Sequence, residues 1–206
     1  MTDASAVLDR MFAEPDPLAL FDAWLDEAKA AEVNDPDAMA LATVDADGLP
    51  DVRMVLLKGH GPDSFRFFTH EGSAKGRELA AQPRAALCLH WKSLRRQVRV
   101  RGPVERLPDA DADAYFATRA KRSRLGALAS AQSRPLESRS VLERRVAELE
   151  AEYADRDPPR PAHWGGYRVV PSAIEFWLDG PNRLHDRRLF TRAASGAAWA
   201  SERLQP

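Results

Sequence analysis

Residues 38–57, AMALATVDADGLPDVRMVLL, decide the fold class of this chain. Two apolar runs flank the tetrapeptide DADG, whose Asp and Gly residues favour a tight turn. Each run is too short for a typical helix and is rich in residues that suit strands, so the stretch predicts two antiparallel strands joined as a hairpin.

A second strand pair is predicted from RAALCLHW at 84–91 and RRQVRVRGPVERL at 95–107. In the latter, Val98 and Val100 alternate with Gln97, Arg99 and Arg101, which is the period of a strand with one polar face. Five more runs have strand character, namely SFRFFT (64–69), GYRVV (166–170), AIEFWL (173–178), RRLFTR (187–192) and AAWASERL (197–204).

Helices are inserted between these strands. Asp16 and Pro17 supply an N-cap and a first-turn proline for a helix that ends near Ala31. Others are predicted near GSAKGREL (72–79), after Pro108 and over 136–153. Runs of strands with inserted helices favour a mainly β, α+β fold with an antiparallel barrel-like sheet over a parallel α/β sheet. We expect a flexible N-terminal arm at 1–15 and one domain at 16–206.

Composition excludes several classes of function. The 206 residues carry a net charge of −1, which favours neither nucleic-acid nor membrane binding, and no apolar run approaches the length of a membrane span. The first residues lack the pattern of a signal peptide and Cys88 has no cysteine partner, so a cytoplasmic location is expected. The sequence has no GxGxxG, Walker or GxSxG motif, and its five histidines lack metal-ligand spacing, so no metal site is expected.

Basic and hydroxyl residues instead gather at strand ends and helix starts. Thr69, Ser73 and Lys75 lie where a strand leads into a helix N-terminus, a setting that favours phosphate; the alternative is a simple N-cap by Ser73. Arg53 and Lys58 flank a core strand and could equally be two surface charges.

Tyr115, Arg119 and Ser123 recur every four residues. If one helix continues that far, they share a face that suits a phosphate monoester; the alternative is a solvated helix face. Near the C-terminus, EFWLDGPNRLHDRRLF at 175–190 concentrates charge after good turn residues. It is either a solvated loop or an edge of an active site, and its Asp186 and Arg188 are most simply structural or exposed.

Taken together, these segments resemble the pyridoxine/pyridoxamine 5′-phosphate oxidase family, FMN enzymes of the split-barrel fold. The resemblance runs in order from about residue 16 to 206. It rests on DPLALFDAWL, DPDAMALATVDADGLPDVRMVLLK, FFTHEGSAKGREL, RRQVRVRGPVERL, YFATRAKRSRLGALASAQS, WGGYRV, IEFW and RLHDR. Each piece is weak alone, but their order and spacing are specific.

The resemblance implies an FMN-dependent oxidase that makes pyridoxal 5′-phosphate from pyridoxamine or pyridoxine 5′-phosphate. A hydride passes to FMN, dioxygen reoxidises the flavin, and hydrogen peroxide is released, with ammonia when the substrate is the amine. It also implies a homodimer with FMN at the subunit interface. The implied FMN contacts are Arg53, Val55, Leu56, Lys58, Phe68, Thr69, Ser73, Lys75, Gln97, Gln132, Ser133, Trp177 and Arg187.

Within this set, the resemblance implies that Gln132 and Ser133 reach the flavin from the partner subunit, although by themselves they could simply cap the next helix. The implied clamp on the substrate phosphate is Lys58, Tyr115, Arg119 and Ser123. Arg183 and His185 match the pair beside the reacting carbon, so they are the implied catalytic residues.

Three departures from the family pattern stand out. Ala74 replaces a second basic residue of many relatives, Phe68 replaces a frequent tyrosine, and the N-terminal arm lacks the lid segment of some relatives. Two alternatives are a flavin oxidase of phenazine biosynthesis and a flavin-binding split-barrel protein without turnover. A phosphate clamp argues against the first, whose substrate has no phosphate, and the pair of Arg183 and His185 argues against the second.

Overall fold

The computed structural model describes residues 4–61 and 63–206. This part of the chain contains six α-helices, which are α1 (Ala4–Ala13), α2 (Pro17–Ala31), α3 (Ala74–Ala81), α4 (Asp109–Thr118), α5 (Lys121–Ala129) and α6 (Arg139–Glu152). Its ten strands are β1 (Ala38–Val44), β2 (Pro50–Leu56), β3 (His60–Gly61), β4 (Ser64–His70), β5 (Arg84–Trp91), β6 (Arg96–Arg106), β7 (Trp164–Val169), β8 (Ala173–Leu178), β9 (Asp186–Thr191) and β10 (Ala200–Leu204). A 3₁₀ turn spans Pro181–Arg183. No helix of the described ranges is long and apolar enough to cross a membrane.

All strand pairs are antiparallel, and the sheet runs β10-β9-β8-β6-β5-β1-β2, with β7, β4 and β3 branching from β6. The hairpin predicted at 38–57 is formed by β1 and β2, and the second predicted pair by β5 and β6. The predicted mainly β fold with an antiparallel, barrel-like sheet and inserted helices is therefore confirmed.

Strand β6 splits the sheet because it changes partner along its length. Its residues 96–101 pair with β8, whereas residues 104–106 pair with β7. The change falls at Gly102, where a Cβ atom would lie 1.9 Å from the carbonyl oxygen of Val170. A side chain there would collide with the backbone, so glycine allows the two halves of the sheet to meet.

The core lies inside the curled sheet and is closed at one end by α2. Alternate residues of β1, such as Met39 and Leu41, are fully buried, as period-two strands require. From α2, Phe21 packs edge-on against Phe65 and Trp24 against Phe176. Burial of such aromatic side chains contributes about 1.5–3 kcal/mol each.

The structure corrects the expected flexible arm at 1–15, of which residues 1–3 lie outside the described part. Residues 4–13 form α1, whose Met11 is fully buried. Arg188 Nη1 donates hydrogen bonds of 2.7 Å to the carbonyl oxygens of Met11 and Glu14. Arg188, expected to be structural or exposed, is thus a buried anchor for α1. The sequence pattern does not reveal α1, because Val7 and Met11 form too short an apolar stripe to indicate a packed helix.

Candidate functional site

A pocket of about 420 Å³ opens between β2, β4, β7 and the helices α3 to α5. It gathers most of the predicted phosphate-binding residues in one place, although they come from four separate segments of the chain. The lining residues are Met54, Val55, Leu56, Lys58, Phe68, Thr69, His70, Lys75, Tyr115, Arg119, Ser123, Gly126, Ala127, Ser130, Gln132 and Trp164. We call this space the phosphate pocket, after the ligand that the sequence analysis predicts for these residues.

One end of the phosphate pocket is built where β4 leads into α3. The Ser73 side chain caps α3 by accepting a 3.3 Å hydrogen bond from the Gly76 amide, so the N-cap expectation holds and places Lys75 in the first turn. Thr69 Oγ1 and Lys75 Nζ each lie 3.2 Å from the side-chain oxygen of Gln132. Two donors therefore converge on one neutral acceptor, an arrangement that suits the oxygens of an anion.

Lys75 is a buried residue, although it lines the pocket. Burial lowers its pKa, and the positive charge of Arg53 lowers it further, while Glu78 and Asp51 oppose the shift. A buried cation next to a neutral amide gains most from an anionic ligand, because the ligand would compensate the lost hydration. Gln132 lines this pocket within its own chain; its reach to the flavin from the partner subunit stays a prediction.

The other end of the phosphate pocket holds Tyr115, Arg119 and Ser123. These residues do not share one helix: α4 ends at Thr118, and α5 begins at Lys121. The premise of a continuous helical face is therefore wrong, but all three side chains still line the pocket.

Of these three residues, Arg119 has a buried hydrogen-bond donor that is not satisfied within the described part of the chain. Its Nη1 is buried without a hydrogen-bond partner within the described ranges, and its guanidinium lies 5.1 Å from the ring centre of Trp164. Burial lowers the pKa of Arg119. An unpaired buried donor costs free energy, so this end of the pocket is also prepared for an anion.

Aromatic rings form the wall between these ends. Phe68 stacks on Tyr115 with ring centres 4.2 Å apart and on Trp164 at 5.4 Å. Lys58, at the rim, is paired with Asp37 at 2.7 Å, so it faces the pocket with a carboxylate already beside it. Such a wall with cations at both ends suits a flat ring that carries a phosphate.

Two predicted contacts lie behind the pocket lining. The Arg53 guanidinium is 2.9 Å from Glu78 and also contacts Thr43, so it is engaged in an internal ion pair next to Lys75. Ser133 follows Gln132 with a positive φ of 66° but is outside the lining, and it does not cap α6, whose N-cap is Ser138.

The remaining predicted residues form a second group on the sheet. Gln97 pairs with Trp177 across β6 and β8, and Trp177 pairs with Arg187 across β8 and β9. Directly opposite residues of antiparallel strands share a face, so these three side chains form a row. Arg187 is held by Glu175 at 2.9 Å.

Arg183 and His185 lie just beyond this row in the turn after β8. The turn needs Gly180, where a Cβ atom would lie 1.9 Å from the Leu184 carbonyl oxygen. Asn182 and Arg183 both have positive φ angles, of 54° and 64°, which is strained for residues with side chains. The turn lines its own pocket of about 500 Å³ together with Trp177 and Asp179, separate from the phosphate pocket of the same chain.

Several pocket residues were missed by the sequence analysis. Trp164 and His70 line the phosphate pocket, and Asp37 pairs with Lys58. Their only sequence signal is their position at strand ends, which many structural residues share. His70 stacks on His163 with ring centres 4.0 Å apart, and burial followed by the charge of His163 lowers the pKa of His70. The described residues contain no group of three or more potential metal ligands.

Solved structures with this architecture define the class of the protein. PhzG from Burkholderia lata, solved in complex with tetrahydrophenazine-1-carboxylic acid, superposes with a TM-score of 0.89 at 32% identity over 96% of both chains. A pyridoxamine 5′-phosphate oxidase-related, FMN binding protein from Nostoc punctiforme superposes with a TM-score of 0.73 at 20% identity, covering 93% of this chain and 98% of that one. The second likeness shows the fold alone. The class is that of the split-barrel proteins.

Sequence comparison then gives the family. Residues 25–153 match "Pyridoxamine 5′-phosphate oxidase", and residues 164–206 match "Pyridoxine 5′-phosphate oxidase C-terminal dimerisation region". The chain belongs to the pyridoxamine 5′-phosphate oxidase family, which confirms the resemblance. Two relatives bear the name pyridoxine/pyridoxamine 5′-phosphate oxidase. The one from Nitrobacter winogradskyi is 61% identical over 93% of this chain and 90% of its own, and the one from Mesorhizobium japonicum is 56% identical over the full length of both.

Proposed function

We propose that this chain is an FMN-dependent oxidase that converts pyridoxamine 5′-phosphate and pyridoxine 5′-phosphate to pyridoxal 5′-phosphate. Dioxygen is the electron acceptor and hydrogen peroxide is released, with ammonia when the substrate is the amine. The observation that carries the proposal is the phosphate pocket, whose two cationic ends flank an aromatic wall. A reaction between two flat phosphorylated rings needs such a pair of anion sites.

The residues around Lys75 fit the phosphate of FMN because they offer a buried cation, a hydroxyl and a helix N-terminus. We assign the FMN-binding role to Lys75, Thr69, Ser73, Gln132, Ser133 and Arg53, to Val55, Leu56 and Phe68 along the wall, and to Gln97, Trp177 and Arg187. Bound FMN supplies the redox chemistry by accepting a hydride. The protein's own task is to position the rings and exclude water.

Arg119, Tyr115, Ser123 and Lys58 are assigned to the substrate phosphate. Nη1 of Arg119, which has no hydrogen-bond partner among the described residues, would donate to an oxygen of a bound phosphate. The hydroxyl groups of Tyr115 and Ser123 can donate to its other oxygens. Lys58 would exchange part of its contact with Asp37 for the ligand. These contacts select phosphorylated substrates and orient the ring beside the wall.

Arg183 and His185 are assigned to the reacting carbon, where both orient the substrate, Arg183 stabilises developing negative charge, and His185 accepts the proton from the substrate's oxygen or nitrogen. They lie outside the phosphate pocket of their own chain, so we propose a homodimer in which the turn of one subunit completes the pocket of the other. Exposed apolar side chains on β2 support this arrangement, because Val52 and Met54 are 63% and 64% exposed and Met54 lines the pocket.

A phenazine-type oxidase is the second candidate, and PhzG gives it a structural basis. We favour the oxidase of pyridoxine and pyridoxamine 5′-phosphate because the two relatives named pyridoxine/pyridoxamine 5′-phosphate oxidase are 61% and 56% identical to this chain, whereas PhzG is 32% identical. The proposal includes a cytoplasmic location, which the free thiol of Cys88 suits because reducing compartments keep thiols reduced.

One assay separates the candidates. The purified protein is loaded with FMN and given pyridoxamine 5′-phosphate, pyridoxine 5′-phosphate, unphosphorylated pyridoxamine or a reduced phenazine carboxylate in air, while peroxide and the oxidised product are followed. We expect turnover of the two phosphates and a large preference over pyridoxamine. Turnover of a reduced phenazine carboxylate alone would support the second candidate, and FMN binding without any turnover would indicate a binding protein.

A further inference from the structure

Asp179, at the end of β8, contacts the proposed catalytic histidine. Its Oδ1 lies 3.2 Å from His185 Nδ1, and its Oδ2 faces the guanidinium group of Arg95. The carboxylate is only 15% exposed. Its backbone amide also donates a 3.1 Å hydrogen bond to the Arg95 carbonyl oxygen, so both ends of the residue are fixed.

His185 Nδ1 has two competing neighbours. The Gly180 amide, a donor, and the Asp179 carboxylate, an acceptor, both lie 3.2 Å away. A ring nitrogen with a lone pair accepts from the amide, whereas a protonated one donates to the carboxylate. Hydrogen bonds to a charged acceptor are roughly twice as strong as neutral ones, and partial burial strengthens them, so the Asp179 carboxylate would favour the Nδ1–H form at the expense of the hydrogen bond that the Gly180 amide donates to Nδ1 in the structure.

The surrounding turn keeps this geometry. Trp177 covers the imidazole with ring centres 4.6 Å apart, and Gly180 lets the chain return close enough for residue 185 to meet residue 179. Other charged groups lie around the histidine: Arg183 in the pocket of the turn, and Asp186 and Arg203 in the groove on its other side. Of the two nearby carboxylates, Asp179 and Asp186, Asp179 is the one that contacts the imidazole ring.

We propose that Asp179 is a positioning residue that holds His185 as the Nδ1–H tautomer and so leaves its Nε2 as the proton acceptor. This inference rests on the proposed function. Nε2 would accept the proton from the substrate's oxygen or nitrogen next to the reacting carbon, while bound FMN would supply the two-electron acceptor for the hydride of that carbon. The imidazolium that forms is then balanced by the Asp179 carboxylate.

The test compares three variants of the FMN-loaded protein. Asp179→Ala removes the acceptor, Asp179→Asn keeps a neutral acceptor, and Arg95→Gln removes only the other partner of Asp179. Two measurements are made: the ¹⁵N chemical shifts of the His185 ring, which report the tautomer, and kcat and KM for pyridoxine 5′-phosphate.

We expect Asp179→Ala to convert His185 to the Nε2–H tautomer and to lower kcat by about tenfold to a hundredfold, with KM within about twofold. Asp179→Asn should be intermediate, and Arg95→Gln, which keeps the carboxylate beside His185, should have the smallest effect. An unaltered ¹⁵N pattern in both Asp179 variants, or an equal loss in Arg95→Gln, would overturn the inference. If the unchanged protein itself shows no turnover, the proposed function fails, while the ¹⁵N measurement still decides the tautomer.

Discussion

The phosphate pocket and the turn at residues 180–185 are built in opposite ways. The pocket is made by regular elements, because β4 runs into the capped start of α3 and α5 follows α4 directly. The turn instead depends on one glycine and on two residues with positive φ angles. Helices and strands hold the pocket cations Lys75 and Arg119 in fixed positions, which suits anion binding. Arg183 and His185 instead lie in a turn outside any α-helix or strand.

The two regions also differ in how complete they are. The phosphate pocket has the residues proposed for both phosphates within one chain, whereas the turn has the proposed catalytic residues but lies in a different pocket. Binding and proton transfer are thus separable in one chain, and the proposed dimer joins them. Variants that impair only the pocket or only the turn would test whether the two roles are separate.

The first prediction is complementation between two inactive variants. Lys75→Met disables the phosphate pocket and Arg183→Ala disables the turn, so each homodimer should be nearly inactive. A heterodimer purified with two affinity tags should regain about half of the wild-type kcat per dimer, because one of its two sites combines the intact pocket with the intact turn. An inactive heterodimer would show that each site is built from a single chain.

The second prediction concerns Arg119 in the pocket. Arg119→Met should raise KM for pyridoxamine 5′-phosphate by about tenfold to a hundredfold with little change in kcat, because a charge-assisted hydrogen bond contributes about 1.5–3 kcal/mol to binding. Steady-state kinetics measure this effect. Arg122→Met, at a site with an 85% exposed side chain, is the matched control. Equal effects of the two variants would remove Arg119 from the clamp.

The third prediction concerns the ion pair behind the pocket. Arg53→Met leaves the Glu78 carboxylate, only 11% exposed, with the Thr43 hydroxyl but without its ion-pair partner, so the free energy of unfolding should fall by about 3 kcal/mol in urea titrations. FMN should also bind more weakly, because Arg53 adds positive charge beside Lys75. The double variant Arg53→Met/Glu78→Gln should recover stability but not FMN affinity. Recovery of both would mean that Arg53 acts only through Glu78.

The fourth and smallest effect is a pH dependence of stability. The pKa of His70 is lowered in the folded protein from its ordinary value of 6.5, so the unfolded chain binds more protons below that pH. The stabilisation is therefore present above pH 6.5 and is lost as the pH falls below it. Urea unfolding between pH 5 and 7.5 should show a weaker pH dependence for His70→Asn.

The exposed His90 provides the control for this measurement. His90→Asn should retain the wild-type slope of unfolding free energy against pH. If His70→Asn also retains that slope, the stacked pair of His70 and His163 does not resist protonation.

Much of the fold could be predicted from the sequence because its signals are local. The hairpin at 38–57 has alternating burial around a clear turn, and α2 begins with Asp16 and Pro17. The pocket residues Thr69 and Lys75 and the helix cap Ser73 were predictable for the same reason, since a strand end, a cap and a first turn follow one another directly.

The remaining features depend on contacts between distant segments. Arg53 and Glu78 lie far apart in sequence, and neither residue indicates the other. The break between α4 and α5 falls in the run TRAK, which has no proline or glycine to mark it. The contact of Asp179 with His185 needs a turn whose positive φ angles fall on ordinary residues. Such features follow from packing, so sequence patterns do not reveal them.

The change of partner along β6 has a consequence for how the chain folds. Its hairpin with β5 is local and can form early, but its other two partners, β7 and β8, come from the last segment of the chain. Loop closure over such a distance is slow, so closing the barrel should be the late step of folding. During synthesis, the open edge of β6 would wait for the C-terminal strands to leave the ribosome. The residues of the turn at 180–185 would therefore reach their places only as the barrel closes.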